Sequence, residues 1–313
     1  MNTLPSSPLT LPVVRAAALK QTEPDTQWLI DLLWGASGVG IIGGTPKSLK
    51  SWLGLEMAVS VATGTNCLGR FPVRCAGPAL IYLAEDAHPV VRDRLEALSR
   101  QRGVALSELD VRVITAASLR LDLATDQQKL TQTIALHRPR LLVLDPFVRL
   151  HRIDENQAQE VSPLLDFLRT LNRTYDLAIV LVHHTRKSGG GAQSGQALRG
   201  SGDLHAWGDS NAYLTHDRGK LKLTLEHRAA PAPEPFHITL STNPLHLALA
   251  ESPEDRPASL EERVMAVVDL AQAPLTRTEL RRQVKVNNHQ LGLALTGLEQ
   301  RGQLSRSADG WAR

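Results

Sequence analysis

Cysteine is scarce in this 313-residue chain, which contains only Cys67 and Cys75. Two cysteines are too few for a disulfide framework, and their spacing does not match that of a metal-binding motif. Neither residue has the sequence context of a catalytic thiol. The scarcity of cysteine therefore predicts a protein of the reducing cytoplasm.

Long apolar runs and strong charge are also missing. No uninterrupted apolar run approaches the roughly 18 residues of a membrane-spanning helix, and residues 1–14 lack the basic and apolar segments of a signal peptide. These absences argue against secretion and against a membrane partner. The net charge of only +3 permits a nucleic-acid partner without requiring one. The 42% hydrophobic and 21% charged residues are ordinary for a globular protein with a large core and a small second domain.

A glycine-rich turn between an apolar run and a helical pattern is the strongest motif. Residues 38–42 suit a buried strand, and apolar side chains recur at helical spacing from Trp52 onward. A strand, turn and helix in this order direct backbone N–H groups and the positive end of the helix dipole toward an anion. All positions of the turn but one fit the pattern G-x-x-x-x-G-K-[ST]: Gly44, Thr45, Pro46, Lys47, Ser48, Leu49, Lys50 and Ser51. The motif therefore predicts a nucleotide-binding loop.

The side chains of this loop have predicted tasks. Lys50 would reach the β and γ phosphates and the Ser51 hydroxyl would bind Mg²⁺, whereas Lys47 either assists the phosphates or faces water. Leu49 stands where the pattern has its last glycine, so the loop needs a conformation there that a residue with a side chain can adopt. The alternative is an ordinary strand-turn-helix with a solvated lysine.

Further apolar runs predict the strands of a sheet, at 78–84, 111–115, 140–144 and 177–182. Helical patterns occur between them, from Pro89 onward, at 127–137 and at 162–172. We expect Val90 and Leu136 to face the core and Pro163 to occupy the first position of its helix. Strands without polar alternation that are joined by helices predict an α/β fold, a mostly parallel sheet sandwiched by helices.

Polar residues follow these strands, at the sheet edge where chemistry gathers in such folds. Glu85 is the candidate base that deprotonates an attacking water, with Asp86 as its alternative. Asp145 would hold Mg²⁺ through water, or else cap the following turn. His184 would donate a hydrogen bond to the γ-phosphate, whereas His183 fits better as a satisfied polar residue at a strand end.

Five motifs in this order resemble the RecA-like ATPases of the plasmid RepA helicase type. They are Gly-Thr-Pro-Lys-Ser-Leu-Lys-Ser-Trp, Tyr-Leu-Ala-Glu-Asp, Leu-Val-Leu-Asp-Pro, Val-His-His-Thr-Arg-Lys and Leu-Arg-Gly-Ser-Gly-Asp. The resemblance covers residues 27–249. It implies a RecA-like core, ATP hydrolysis with Mg²⁺, Glu85 as the catalytic glutamate and assembly into a ring, expected to be a hexamer. Related loops vary before the second lysine, which accommodates Leu49.

Two basic stretches follow the presumed site residues. Residues 186–200 contain five glycines, three basic residues and no acid, and the resemblance implies that this loop faces DNA, expected to be single-stranded. A plain flexible linker is the alternative. The basic residues of this loop and of the segment after Asp145 would contact phosphates without reading sequence. The residues predicted to do so are Arg149, Arg152, Arg186, Lys187 and Arg199, with His151 beside them.

Beyond residue 211 the pattern alternates, which predicts antiparallel strands that extend the sheet. Arg228 lies between two of these strands, at 220–226 and 236–240. The resemblance implies that Arg228 is the arginine finger that reaches the γ-phosphate of a neighbouring subunit, with Lys220 and Lys222 as weaker candidates. The alternative is a hairpin-loop arginine in water.

A small domain follows a linker at 251–257. Apolar spacing through Leu270 predicts one helix, and a Thr276–Glu279 capping box predicts the start of a second. Asn287 or Asn288 would cap a third helix. Residues 304–312 alternate between apolar and polar, which predicts a hairpin. This order describes a winged helix, which binds either DNA or protein. Its candidate DNA contacts are Arg277, Arg281, Arg282, Lys285, His289 and Arg306. The predicted domains are thus a flexible segment at 1–26, an ATPase at 27–250, the linker, and a winged helix at 258–313.

These features favour an ATP-driven DNA motor, a ring helicase that replicates a plasmid, phage or other mobile element with partner proteins. The alternative is a DNA-binding regulator or loader that uses ATP as an assembly switch without translocating.

Overall fold

The computed structural model describes residues 13–18, 27–184, 202–217, 220–250, 260–271, 273–307 and 309–313. The chain divides into two compact units, Met1–Leu249 and Ala250–Arg313. Among the described residues, no helix is both long and apolar enough to span a bilayer.

The first unit alternates strands and helices before it ends in consecutive strands. Its strands are β1 (Trp28–Ile30), β2 (Trp34–Gly35), β3 (Val39–Gly44), β4 (Ala79–Leu83), β5 (Val111–Val113), β6 (Leu141–Asp145), β7 (Ala178–His184), β8 (Ser210–Asp217), β9 (Lys220–His227), β10 (Phe236–Thr242) and β11 (Leu245–Leu249). Its helices are α1 (Lys50–Thr63), α2 (His88–Gln101), α3 (Ala124–His137), α4 (Ala158–Tyr175) and α5 (Gly202–Trp207).

Nine of these strands form one mixed sheet in the order β11-β10-β9-β8-β3-β7-β6-β4-β5. The strands from β8 to β5 run parallel, and β8 to β11 pair antiparallel. The two short strands that precede β3 form a separate antiparallel pair, β1 with β2. The predicted α/β fold, a mostly parallel sheet extended by antiparallel strands, is confirmed.

Both faces of the sheet are covered. Along β7, Ala178, Val180 and Val182 belong to the core that contains α1 and α2, while Ile179 and Leu181 belong to the core that contains α3, α4 and α5. Successive side chains of a strand point to opposite faces. A strand buried on both faces has no polar alternation, which is why these strands were visible as apolar runs.

Three helix predictions are wrong in phase or position. Val90 is exposed and Val91 is buried instead, because α2 begins at His88. Leu136 is 78% exposed, since it lies two residues, or about 200° of rotation, beyond the buried Ile134. Pro163 lies inside α4 rather than at its first position, because the helix begins at Ala158.

The second unit contains α6 (Leu260–Asp269), α7 (Arg277–Val284), α8 (Asn288–Gln300) and a hairpin of β12 (Ser305–Ser307) with β13 (Gly310–Ala312). Thr276 and Glu279 form the predicted capping box, and Asn287 caps α8. The unit has its own apolar core around Val264, Leu280, Leu291, Leu295 and Trp311. Leu270, which was expected inside, is exposed because α6 ends one residue before it.

Candidate nucleotide-binding site

The four strands that carry the predicted site residues are neighbours in the sheet, in the order β3, β7, β6 and β4. They run parallel, with Gly44 opposite His184 and Leu83 opposite Asp145. Their carboxyl ends therefore meet at one edge, which is the usual location of a ligand site in an open α/β sheet.

A cavity of ≈ 330 Å³ opens at this edge. It brings together residues 47–51 of the glycine-rich loop with Glu85, Asp145 and His184, and Asp86 lies beside them. Two residues that the sequence did not suggest, Trp52 and Arg94, complete the lining. Gly44, Thr45 and Pro46 belong to the loop but do not line the cavity.

The loop keeps a glycine-like backbone despite its leucine. Leu49 has φ 61° and Lys47 has φ 63°, which is the left-handed region that costs a residue with a side chain about 1–2 kcal/mol. The side chain of Leu49 packs against the core, and this contact offsets part of that cost. Position 44, in contrast, has no room for a side chain. A Cβ there would lie 2.5 Å from the Ser48 hydroxyl oxygen and 2.8 Å from the Leu214 carbonyl oxygen.

Lys50, the first residue of α1, extends its side chain back to the loop. Its side chain is buried, with the residue only 6% exposed, and its Nζ donates a hydrogen bond to the Thr45 carbonyl at 2.7 Å. Burial lowers the pKa of Lys50, while the carboxylates of Asp145 and Glu85 oppose that shift. An ammonium group in this position can bind an incoming phosphate with little reorganisation.

Asp145 is a buried carboxylate that fits a magnesium site. Burial raises its pKa to about 6, the Ser51 hydroxyl and Lys50 oppose the rise, and Asp86 and Glu85 add to it. Its Oδ2 atom is buried and has no hydrogen-bond partner among the described residues. A cation would satisfy this oxygen. No group of three or more His, Cys, Asp or Glu suited to a metal occurs in that same part of the chain, but Mg²⁺ beside phosphates needs only one or two protein ligands.

The two candidate bases have different ion-pair partners. Arg149 Nε donates to Glu85 Oε1 at 2.7 Å, and Arg94 Nη1 donates to Asp86 Oδ2 at 2.7 Å. The Arg94 guanidinium also lies over the Trp52 ring, 5.4 Å from its centroid. Asp86 is thus tied to α2, whereas Glu85 is tied to the loop that follows β6.

The two histidines at the end of β7 point into different surroundings. His184 is half-buried and lines the cavity. His183 is buried, and its Nε2 lies 4.0 Å from Glu155 Oε2, while His151 Nε2 lies 3.3 Å from the other Glu155 oxygen. Of the two, His184 is the one that can face a bound phosphate.

The predicted basic residues are not all near the cavity. Arg149 and Arg152 are exposed in the segment after β6, whereas Arg186, Lys187 and Arg199 lie outside the described residues. Arg228 follows β9, where its N–H donates to the Asp209 carbonyl at 2.9 Å. Asp209 in turn donates its N–H to the carbonyl of Val39, the first residue of β3, at 2.7 Å. Arg228 is therefore at the opposite end of β3 from the glycine-rich loop.

Comparisons with known proteins agree with this geometry. A family model described as an AAA domain, AAA_25, matches residues 5–190, a range that includes the glycine-rich loop, Glu85, Asp145 and His184. The ATPase domain of G40P superimposes with a TM-score of 0.54 at 14% identity, over 69% of this chain and 86% of that one. RadB recombinase superimposes with a TM-score of 0.50 at 15% identity, over 69% and 92%. Both show the RecA-like fold of P-loop ATPases, and the chain belongs to the AAA domain family AAA_25.

Proposed function

We propose that the protein hydrolyses ATP with Mg²⁺ at the cavity described above. The observation that carries the proposal is the meeting of the phosphate-loop lysine, two carboxylates and a histidine at the ends of four adjacent strands. Positioning and electrostatic stabilisation supply nearly all of the catalysis in phosphoryl transfer. A site of this kind therefore needs this set of charges more than a reactive nucleophile.

Each side chain has a task in that reaction. Lys50 neutralises charge on the β and γ phosphates, and Ser51 with Asp145 holds the magnesium ion, which adds charge neutralisation when bound. Glu85 orients the attacking water and accepts its proton. His184 donates to the γ-phosphate from the end of β7.

We propose that the free energy of ATP hydrolysis drives movement of the protein along DNA. The motif resemblance to RepA-type helicases supports it, one of the similar structures is a recombinase, and exposed Arg149 and Arg152 follow the strand that ends at Asp145. Cations in that position suit the backbone of single-stranded DNA. The protein would be a replicative helicase of a plasmid, phage or mobile element that works with replication partner proteins.

A ring of identical subunits, expected to be a hexamer, is the proposed assembly. The resemblance to RepA-type helicases implies that Arg228 is the arginine finger for the γ-phosphate of a neighbouring subunit. Its place at the far end of β3 from its own phosphate loop is compatible with a role between subunits. Arg228 Nη1 lies 3.6 Å from Asp209 Oδ1 and its Nη2 donates to the Ala206 carbonyl, so the finger role requires the guanidinium to exchange these two contacts.

Strand displacement tests this function. The full chain should separate a forked duplex with ATP and Mg²⁺, and single-stranded DNA should stimulate its ATP turnover. Lys50→Ala should lose about 10²- to 10³-fold in turnover and all displacement. Lys47→Ala is the matched control, because Lys47 is exposed and should have the milder effect. Full turnover in Lys50→Ala would refute the site.

A second function is favoured by one observation in the C-terminal unit. Arg281, Arg282 and Lys285 are exposed on and just after α7. A winged helix with this basic surface suits a DNA-binding regulator or loader that uses ATP as a switch. Such a protein would bind DNA and hydrolyse ATP without displacing a strand.

A further inference from the structure

Glu85, the carboxylate proposed as the general base, already forms an ion pair with an arginine. Glu85 Oε1 accepts the 2.7 Å hydrogen bond from Arg149 Nε. Arg149 is not among the residues that line the cavity, so it approaches Glu85 from outside the site. The hydrogen bond occupies one of the two carboxylate oxygens and holds the Glu85 side chain toward Arg149, whereas a general base must lie within hydrogen-bond reach of the proton it takes.

The backbone that carries Arg149 is anchored while its side chain is exposed. Phe147 and Leu150 on either side are fully buried, and the Arg149 carbonyl accepts a hydrogen bond from Arg120 Nη1 at 2.7 Å. The side chain of Arg149 is 61% exposed and that of Glu85 is 48% exposed. The guanidinium can therefore change partners without movement of the loop.

The second ion pair at the cavity lacks this freedom. Arg94 and Asp86 are only 22% and 25% exposed, and the Trp52 ring packs against the guanidinium. An anion that arrives from solvent thus has far better access to Arg149 than to Arg94. Exposed ion pairs are weak and are screened by salt, whereas arginine binds phosphate through two parallel hydrogen bonds.

We propose that Arg149 couples DNA binding to hydrolysis by holding Glu85 away from the attacking water until a DNA backbone phosphate takes its guanidinium. The inference rests on the proposed function and adds a control to it. Arg149 is a positioning residue, since it acts through Glu85 and not on the nucleotide.

Release of Glu85 restores the ordinary reaction. The water oxygen forms a bond to the γ-phosphorus as the bond from that phosphorus to the β–γ bridging oxygen breaks. The water proton passes to Glu85 and from there to solvent. ADP and inorganic phosphate leave, and Arg149 returns to the carboxylate when the DNA phosphate moves away.

The test is Arg149→Ala in the full chain, assayed for ATP turnover without DNA and with saturating oligothymidylate. Without DNA, we expect turnover to rise about two- to fivefold, which is roughly 0.4–1 kcal/mol at about 1.4 kcal/mol per tenfold. With saturating DNA, the rate should equal that of the parent, so the stimulation ratio falls. The rise should vanish in Glu85→Gln/Arg149→Ala, because the two residues act as one unit.

Arg100→Ala is the matched control, since it breaks another exposed ion pair of the same unit, with Glu96 at 2.8 Å. Its DNA-free turnover should equal that of the parent. An Arg149→Ala variant with unchanged or reduced DNA-free turnover overturns the inference, while the parent's DNA stimulation leaves the proposed function intact. A parent whose turnover does not respond to oligothymidylate overturns both.

Discussion

The Ser51 hydroxyl and the Asp145 carboxylate line the same cavity, and the hydroxyl opposes the rise in the pKa of Asp145 that burial causes. Ser51 lies at the start of α1 and Asp145 at the end of β6, two strands away from β3 in the sheet. The carboxylate keeps a buried oxygen without a partner, although burial disfavours its charge. The buried Asp145 carboxylate destabilises the fold and lines a cavity, which indicates that it serves to bind a ligand.

Asp145→Asn should separate stability from activity. The amide removes a buried charge and keeps the shape, so the melting temperature should equal or exceed that of the parent. ATP turnover should fall about 10²-fold or more at any Mg²⁺ concentration, because the cation loses its protein carboxylate. Thermal melting and a magnesium titration of turnover measure the two effects. Parental turnover in the variant would remove Asp145 from the metal site.

The parts of this fold that the sequence predicts are those that depend on local pattern. Apolar runs located β4, β6 and β7 because both faces of these strands are buried, and the parallel arrangement then brings Glu85, Asp145 and His184 to one edge. The capping box at Thr276 needs only two residues three positions apart. Such features require no knowledge of distant contacts.

Other features depend on contacts that no local pattern contains. The Arg149–Glu85 and Arg94–Asp86 pairs join separate segments, and an arginine has the same local signature whether it binds DNA, a carboxylate or water. To predict which faces of α2 and α3 are buried, one must know the residue at which each helix begins, because an error of one residue rotates the face by about 100°. Leu49 keeps a left-handed backbone through packing that only the folded core supplies.

Arg102→Ala should destabilise the first unit strongly. Arg102 is 5% exposed and is paired with Glu56, which is also buried, and it donates further hydrogen bonds to Ser60, Thr65 and the Leu98 carbonyl. Its removal would leave the Glu56 charge buried without its cation, at a cost of about 3–5 kcal/mol.

Arg100→Ala serves as the comparison, because its side chain is 76% exposed and its loss should cost less than about 1 kcal/mol. Urea unfolding of the two variants measures the difference. Equal midpoints would show that the buried pair does not stabilise the unit.

Acid should weaken the fold partly through His227. Burial lowers the pKa of His227, and the hydrogen bond from its Nε2 to the Leu32 carbonyl opposes the shift. A lowered pKa means that the unfolded chain binds the proton first, near pH 6.5. The free energy of unfolding should therefore fall as pH drops through about 6.5 toward the lower folded-state pKa. His227→Gln should show a smaller fall, whereas His216→Gln, which replaces an exposed histidine near the end of β8, should match the parent.

The last prediction sets the basic segment 186–200 against the C-terminal unit as the source of DNA binding. For a motor, Arg186→Ala/Lys187→Ala in the full chain should weaken DNA-stimulated turnover and flatten the salt dependence by about 0.7 log-log units per lost contact on single strands. Arg281→Ala/Arg282→Ala removes the same charge from α7 and should leave that stimulation intact. A regulator would behave oppositely, because its DNA contacts would come from the C-terminal unit. The DNA concentration that gives half-maximal stimulation, measured for both variants at several salt concentrations, distinguishes a motor from a regulator. If only the α7 variant lost DNA-stimulated turnover, the motor would be excluded.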